Sequence, residues 1–192
     1  MIRPNTAPHS RFLMQSSAPD AIAGAPIGLG FGSNVGDAAA HVHRALQEIE
    51  AGGIARITAR SSLWRTAPWG YTEQEDFANL CALADTRLSP ADLLVAIKTL
   101  EKDLGRTAGP RWGPRVIDID ILFYDDIRSE DASLTLPHRE LFRRTFVLVP
   151  LAEIAPDLMI GGRQIEEAAQ EIDRSGTAKW DTMIIEPYKD LR

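Results

Sequence analysis

The segment from Val116 to Phe123 constrains the fold of this chain more than any other stretch of its sequence. Apolar and acidic residues alternate along it, and this period of two predicts a β-strand with one apolar face and one acidic face. A shift of the strand by one residue would bury two carboxylates, so the pattern also fixes the strand's register in a sheet. The apolar face is expected to carry Ile117, Ile119, Ile121 and Phe123, and the other face Asp118 and Asp120.

The two aspartates of this strand are candidates for a metal site. Residues two apart on a strand lie side by side, with their α-carbons roughly 7 Å apart. Two carboxylates in this arrangement suit Mg²⁺, which prefers oxygen ligands and keeps positions for water and phosphate. Arg111 and Arg115 flank a Gly-Pro pair just upstream, and arginines beside a metal site are typical of a bound polyphosphate. A pair of solvated aspartates on an exposed strand face is the alternative.

Composition and charge narrow the class of protein. The chain has 192 residues, 44% of them hydrophobic, so one globular domain with a buried core is expected. The net charge of −6 argues against non-specific binding to nucleic acid or anionic membranes, and no apolar run reaches membrane-spanning length. The single cysteine, Cys81, excludes an internal disulfide and is typical of a cytoplasmic protein. Residues 1–25 are predicted to be a loosely ordered extension and residues 26–192 a single domain.

Turn residues and apolar spacing predict further elements on both sides of the acidic strand. Asp37 and Ser89 are suitable helix caps, and Pro90 suits the first position of the second helix. The expected elements are strands at 27–31, 54–66 and 77–86, helices after Asp37 and Ser89, and then helices at 145–154 and near 165–172 and a strand near 183–185.

The order of the main elements indicates the fold class. It reads β-α-β-β-α-β, which predicts an α+β, ferredoxin-like α/β sandwich with a mostly antiparallel sheet. Both helices are expected on one face of the sheet. Asp118 and Asp120 would then lie on the opposite, open face, covered by the long loops 67–76 and 105–114.

Several segments together resemble one known family, 6-hydroxymethyl-7,8-dihydropterin pyrophosphokinase, over about residues 27–156. Each segment is modest evidence alone, but their number and order make the resemblance specific. They are Gly-Ser-Asn-Val-Gly-Asp at 32–37, Arg-Thr-Ala-Pro-Trp-Gly at 65–70, Asp-Phe-Ala-Asn at 76–79, the stretch 111–122, and 134–138 followed by Phe146.

The resemblance implies an enzyme of folate biosynthesis that uses ATP and Mg²⁺. It implies transfer of the β,γ-diphosphate of ATP to the hydroxymethyl oxygen of the pterin, with release of AMP. By analogy, Asp118 and Asp120 hold two Mg²⁺ ions, and catalysis also involves Arg106, Arg111 and Arg115. The positions expected along the nucleotide are Lys98, Glu101, Arg111, Trp112, Arg115, Ile121, Thr135, His138, Arg139 and Arg144.

The same resemblance implies a slot for the pterin ring. Phe77 and Phe146 would stack on the two faces of the ring, because aromatic faces bury much of a flat heterocycle. Asn79 and the segment Thr66, Ala67, Pro68 and Trp69 would bind its polar edges. Two phenylalanines of an ordinary core are the alternative for Phe77 and Phe146.

The expected partners are small molecules: ATP and the hydroxymethylpterin, bound by a cytoplasmic monomer. Two other functions fit the same residues. One is a pterin- or nucleotide-binding protein without turnover, which would not need a two-metal site. The other is a metal-dependent phosphohydrolase, which would release its product without pterin.

Overall fold

The computed structural model describes residues 24–68, 72–107 and 113–180. The strands are β1 (Ala25–Ser33), β2 (Arg56–Arg60), β3 (Trp64–Thr66), β4 (Phe77–Thr86), β5 (Asp118–Tyr124), β6 (Ser129–Glu130), β7 (Thr135–Leu136), β8 (Met159–Ile160), β9 (Arg163–Gln164) and β10 (Thr177–Lys179). The helices are α1 (Ala38–Ala51), α2 (Pro90–Asp103), α3 (Thr145–Ile154) and α4 (Ile165–Glu171), with a 3₁₀ turn at Leu141–Arg143. Residues 1–23 of the predicted extension and the predicted strand at 183–185 lie outside the described residues.

Six strands form the main sheet, in the order β10–β3–β4–β1–β5 with β2 also paired to β4. All of its pairings are antiparallel. The prediction of an antiparallel sheet combined with helices is therefore confirmed. Within the described residues, no helix has the length and apolar character needed to cross a membrane.

The first two helices begin where the sequence predicts. The Asp37 side chain accepts a hydrogen bond from the backbone N–H of Ala40 at 3.0 Å, and Ser89 Oγ accepts one from the N–H of Asp92 at 3.2 Å. Such caps satisfy backbone donors that have no partner inside the helix. These two caps fix where α1 and α2 start beneath the sheet.

Helices cover both faces of the sheet, so the prediction of an open opposite face is wrong where α3 and α4 pack. On one face Ile119 and Ile121 share a core with residues of α1 and α2. On the other face Leu122 and Phe123 share a core with residues of α3 and α4. The buried run 147–152 leaves α3 apolar around its circumference, and a helix of that kind has to be covered on several sides. The site occupies the part of this face that α3 leaves uncovered.

The position predicted for Phe123 is also wrong, because β5 contains a bulge. Leu29 lies opposite Ile121, and Gly28 lies opposite Phe123, so Leu122 is an additional residue without a partner. A bulge shifts the alternation by one residue, and Phe123 joins the core under α3 and α4. A Cβ at position 28 would lie 2.2 Å from the Phe123 ring, so glycine there gives the ring its space.

The single strand predicted at 54–66 is two strands. Between β2 and β3, the Ser61 N–H donates to the Cys81 carbonyl at 2.9 Å, and Ser61 Oγ accepts from the Cys81 N–H at 3.1 Å. The serine side chain thus replaces one backbone bond of the ladder and interrupts the regular pairing. β3 then restarts opposite Phe77 to Asn79 and ends at the predicted pterin slot.

Candidate active site

A cleft opens at the end of the sheet that α3 leaves uncovered, with about 690 Å³ of empty space including its part open to solvent. A Cβ on Gly32 would come within 2.9 Å of Asn79 Oδ1. Glycine at this position of β1 therefore leaves room for Asn79 at the bottom of the cleft. The cleft is lined by Gly30, Phe31, Gly32, Thr66, Phe77, Asn79, Arg115, Asp118, Asp120, Arg144, Phe146 and Val147.

The two aspartates lie on one face of β5, as the alternation predicts, and both line the cleft. Asp118 is opposite Gly32 and Asp120 opposite Gly30 on β1. Glycine partners leave the carboxylates without a cross-strand side chain above them. The acidic face is thus accessible at the point where the cleft opens.

Asp118 is held by two arginines. Arg106 Nη1 lies 2.6 Å from Asp118 Oδ1, and Arg115 Nη1 donates to Asp118 Oδ2. Burial alone would raise the pKa of Asp118, but Arg115, Arg106 and Lys98 outweigh it and hold the pKa below its ordinary value. The carboxylate is therefore ionised at neutral pH, as a metal ligand must be.

Asp120 faces a third arginine and a histidine. Arg144 Nη1 donates to Asp120 Oδ2 at 2.8 Å, while His138 Nε2 lies 3.9 Å from the same oxygen. Burial lowers the pKa of His138; Asp120 opposes that effect and Arg144 adds to it, so the pKa stays below its ordinary value. Arg144 Nε is buried and has no hydrogen-bond partner among the described residues, which leaves the guanidinium with a donor for a ligand.

Glu101 supports the acidic strand from below. Its side chain is almost fully buried at the end of α2, and Oε1 accepts the backbone N–H of Ile119 at 2.7 Å. Lys98 Nζ lies 3.0 Å from its carboxylate and Arg106 Nη1 lies 2.5 Å away. Because Ile119 stands between the two aspartates, Glu101 fixes the backbone that carries them. The family resemblance predicted Glu101 along the nucleotide; it does not line the cleft, and its contact with ATP stays a prediction.

Asn34 is a second residue whose role the sequence did not indicate. Its backbone N–H donates to the Arg115 carbonyl at 3.0 Å, and its Oδ1 accepts from the Arg115 N–H at 2.8 Å. Its Nδ2 donates to Gln74 Oε1 at 2.9 Å. Asn34 therefore joins the loop before β4 to the loop before β5, and its only sequence signal was its place in the segment 32–37.

The aromatic end of the cleft combines β3, β4 and the start of α3. Phe77, Phe146 and Val147 line it, and Arg144 lies 5.4 Å from the centre of the Phe146 ring. Asn79 Nδ2 donates to Thr66 Oγ1 at 2.6 Å, and both residues are buried. This bond holds the Asn79 amide in place, so a flat ligand between the rings would meet polar groups at its edge.

Several residues predicted along the nucleotide do not line this cleft. Ile121 belongs to the core under α1 and α2, Lys98 pairs with Glu101, and Arg139 is exposed. Thr135 lies in β7. Their contact with ATP stays a prediction. The predicted residues Trp69, Arg111 and Trp112 lie outside the described residues, whereas Ala67 and Pro68 follow directly after β3.

The donor set at the acidic end fits Mg²⁺ bound together with phosphate. Within the described residues, no group of three or more His, Cys, Asp and Glu side chains is placed to hold a metal ion. Mg²⁺ is commonly bound by one or two carboxylates, with waters and substrate phosphates completing its coordination. Asp118 and Asp120 supply those two carboxylates, and the adjoining arginines supply the charge that phosphates require.

Comparisons with known proteins agree on one family. Residues 28–156 match the family model of 7,8-dihydro-6-hydroxymethylpterin-pyrophosphokinase. The chain is 50% identical over 148 residues to the 2-amino-4-hydroxy-6-hydroxymethyldihydropteridine pyrophosphokinase of Methylorubrum extorquens, covering 77% of this chain and 94% of that protein. It is 35% identical to the Bacillus subtilis protein of the same name, covering 79% of this chain and 88% of that protein.

Longer relatives match over only part of their length. The folate synthesis bifunctional protein of Pisum sativum is 41% identical over 78% of this chain but only 28% of that protein. A crystal structure of Plasmodium falciparum HPPK-DHPS has a TM-score of 0.62 at 17% identity, covering 79% of this chain and 42% of that chain. This structural likeness concerns the fold alone. The family match and the identity to relatives of similar length place this chain in the 7,8-dihydro-6-hydroxymethylpterin-pyrophosphokinase family.

Proposed function

We propose that this chain transfers diphosphate from ATP to the hydroxymethyl group of 6-hydroxymethyl-7,8-dihydropterin, with release of AMP, in folate biosynthesis. One observation carries the proposal. A single cleft has two carboxylates with their arginines at one end and two phenylalanines with a buried amide at the other. The first end suits a metal-bound triphosphate and the second suits a flat, polar-edged heterocycle.

The reaction needs positioning and charge neutralisation more than covalent chemistry by the protein. The hydroxymethyl oxygen forms a bond to the β-phosphorus and its proton is released. The bond from that phosphorus to the oxygen bridging the α- and β-phosphates breaks, and AMP leaves with the electron pair. When bound, Mg²⁺ supplies polarisation of the phosphoryl group and neutralises charge.

The arginines at the acidic end have two sets of possible partners. In the described arrangement, Arg106 and Arg115 bind Asp118, while Arg144 binds Asp120. Phosphate oxygens offer the same bidentate acceptors as a carboxylate. We infer that these arginines exchange carboxylate for phosphate when Mg²⁺-ATP binds, which leaves the aspartate oxygens to the metal.

The phenylalanines at the other end orient the second substrate. A ring stacked between Phe77 and Phe146 would have its edge toward Asn79 and Thr66. Its hydroxymethyl group would then point along the cleft toward the aspartates. Holding both reactants in line within one cleft removes much of the entropic cost of their encounter.

The test is AMP formation from Mg²⁺-ATP with and without the hydroxymethyldihydropterin. AMP that appears only with pterin, in equal amount to the pterin diphosphate, is the expected result. AMP or ADP released at the same rate without pterin would indicate a phosphohydrolase. Binding of both ligands without any AMP would indicate a binding protein.

Finer features belong to the same proposal. We propose two Mg²⁺ ions at Asp118 and Asp120, a monomer in the cytoplasm, and a single domain over residues 26–192 after a loosely ordered extension. The order β3–β4–β1–β5 with α1 and α2 on one face supports a ferredoxin-like arrangement. Equilibrium dialysis of Mn²⁺ with a non-reactive ATP analogue would count the metal ions.

A further inference from the structure

The segment from Asp173 to Trp180, called here the bridging segment, contacts both walls of the cleft. It follows α4 and contains β10. It also lies beyond residue 156, where the match to the family model ends. Its contacts therefore come from a part of the chain that the family match does not account for.

The first contact is with the wall that β3 forms. β10 pairs with β3, and Thr177 lies opposite Thr66. One residue further, the backbone N–H of Ala67 donates to the Gly176 carbonyl at 3.1 Å. Thr66 lines the cleft and holds the Asn79 amide. The bridging segment thus fixes the backbone that carries the polar edge of the aromatic slot.

The second contact is with the opposite wall. Thr145 Oγ1 donates to the Asp173 carbonyl at 2.9 Å. Thr145 begins α3 and is the direct neighbour of Phe146, which lines the slot. Only two residues of the chain thus separate Asp173, bonded to one wall, from Gly176, bonded to the other, so the segment links the two walls over a short stretch of chain.

Gly176 makes the approach to the first wall close. Its φ of +72° lies in the left-handed region that favours glycine. A Cβ at this position would lie 3.2 Å from the Ala67 Cβ. A larger residue here would therefore strain the turn and push the segment away from β3.

The outer end of the segment is anchored as well. The backbone N–H of Trp180 donates to the Leu63 carbonyl at 2.8 Å. The Arg65 guanidinium lies 4.6 Å from the centre of the Trp180 ring. These contacts matter because β3 has only three residues paired with β4. A strand that short, without a second neighbour, would fray at the end where the slot begins.

We propose that the bridging segment is a positioning element: it holds the two walls of the aromatic slot at the separation that a flat heterocyclic substrate requires, without touching that substrate. The inference rests on the proposed function, because it concerns the pterin site of that reaction. It assigns to residues 173–180 an effect mainly on one substrate, since both carboxylates of the acidic end lie on β5, with which β10 does not pair.

Ala178→Pro in the full chain tests the proposal. Ala178 is exposed and lies opposite Arg65 on β3. Hydrogen-bonded pairs alternate along an antiparallel ladder, and residues 67/176 and 63/180 are bonded on either side of it. The backbone N–H of Ala178 therefore points toward β3. Proline removes that donor while leaving the buried cores unchanged. Calorimetry would measure 6-hydroxymethylpterin binding with Mg²⁺ and α,β-methylene-ATP present, and binding of the nucleotide alone. We expect pterin affinity to fall about tenfold and nucleotide affinity to change less than about twofold.

Gly176→Val is the second variant, with Gly161→Val as its matched control. Both glycines have positive φ, +72° and +60°, but a Cβ at Gly161 meets no atom within 4 Å. We expect Gly176→Val alone to weaken pterin binding. Hydrogen exchange at the Ala67 amide reports directly whether β10 has separated from β3 in each variant.

Four outcomes decide between the possibilities. Selective loss of pterin affinity together with faster exchange at Ala67 supports the proposal. Unchanged pterin affinity despite faster exchange overturns it, and so does an equal loss for pterin and nucleotide, which would indicate general destabilisation. Failure of the unmodified chain to bind pterin would instead refute the proposed function itself.

Discussion

At the acidic end of the cleft the two carboxylates lie on one strand, β5, and their arginines come from the loop before it and from the residue that precedes α3, whereas the side chains of the aromatic end come from β3, β4 and α3. Ion pairs hold the acidic end: Asp118 with Arg106 and Arg115, and Asp120 with Arg144. Backbone bonds and packing hold the aromatic end, including those of β10. The acidic end therefore depends on charge and the aromatic end on the spacing of elements, so different mutations should disturb each.

The largest effect is expected from removing charge at the acidic end. Asp118→Asn or Asp120→Asn should reduce turnover on the order of a thousandfold, because a neutral amide binds Mg²⁺ poorly and does not balance the arginines. Folding should survive, since both side chains border an open cleft. AMP formation and a thermal melt would measure the two effects.

Near-normal activity of both variants at limiting Mg²⁺ would contradict this assignment. Asp126→Asn is a suitable control, because Asp126 is an exposed aspartate two residues after β5. Its turnover should equal that of the unmodified chain.

The next effect should be confined to the aromatic end. Phe146→Ala removes one stacking surface, so pterin affinity should fall about 10- to 50-fold while ATP affinity changes little. Calorimetric titration of each ligand separates the two. Phe142→Ala is the matched control, since Phe142 packs beside the core of α3 and α4 and does not line the cleft. Equal losses of both ligands in Phe146→Ala would make Phe146 a packing residue only.

The two ends also differ in how far the sequence predicted them. The alternation at 116–121 is local, so it placed Asp118 and Asp120 on one face correctly. The bulge at Leu122 is not encoded in that period, because it depends on how Phe123 fits over Gly28. The predicted slot residues Thr66, Phe77, Asn79 and Phe146 do line one cleft, but that expectation came from family resemblance and not from any pattern.

Contacts between distant segments were the least predictable. β10 has three residues, mostly exposed and without apolar alternation, so nothing in its sequence marks it as a strand. Glu101 was predicted along the nucleotide by resemblance, and nothing in the local sequence indicated that its buried side chain supports β5. Its bond to the Ile119 backbone exists only because α2 packs under β5. The pairing of β10 with β3 and the bond from Glu101 to Ile119 thus both depend on tertiary packing, which a local sequence pattern does not show.

A smaller effect, on stability, is expected from removing the buried charge beneath the acidic strand. Glu101→Gln keeps the volume and an acceptor for the Ile119 N–H but leaves Lys98 and Arg106 facing a neutral group. We expect the free energy of unfolding to fall by about 1–2 kcal/mol, because a buried charge loses its partner. Denaturant titration would measure it.

Glu50→Gln is the control for that variant. Glu50 Oε1 also accepts a backbone N–H, that of Ile57 at 3.2 Å, but at an exposed position. Glu50→Gln should lower the free energy of unfolding by less than about 0.5 kcal/mol. Equal losses in the two variants would show that burial at Glu101 adds nothing.

The smallest expected effect is a pH dependence at Glu153 of α3, a carboxylate that joins α3 to both β3 and β10. It accepts hydrogen bonds from Ser62 and from Trp64 Nε1 at 2.9 Å, and Lys179 Nζ lies 3.4 Å away. Partial burial alone would raise its pKa, but the bonds from Ser62 and Trp64 and the charge of Lys179 outweigh burial and lower the pKa below its ordinary value.

A carboxyl group whose pKa is lower in the folded than in the unfolded protein stabilises the fold above its unfolded pKa. That contribution is complete above about pH 5.5 and disappears as the pH falls through the folded pKa. Because the group is partly solvated, we expect only a few tenths of a kcal/mol. Unfolding free energies of the unmodified chain and Glu153→Gln should therefore differ slightly at neutral pH and converge in acid. A difference that persists unchanged at about pH 3 would mean that Glu153 joins the walls of the slot through its shape and not through its charge.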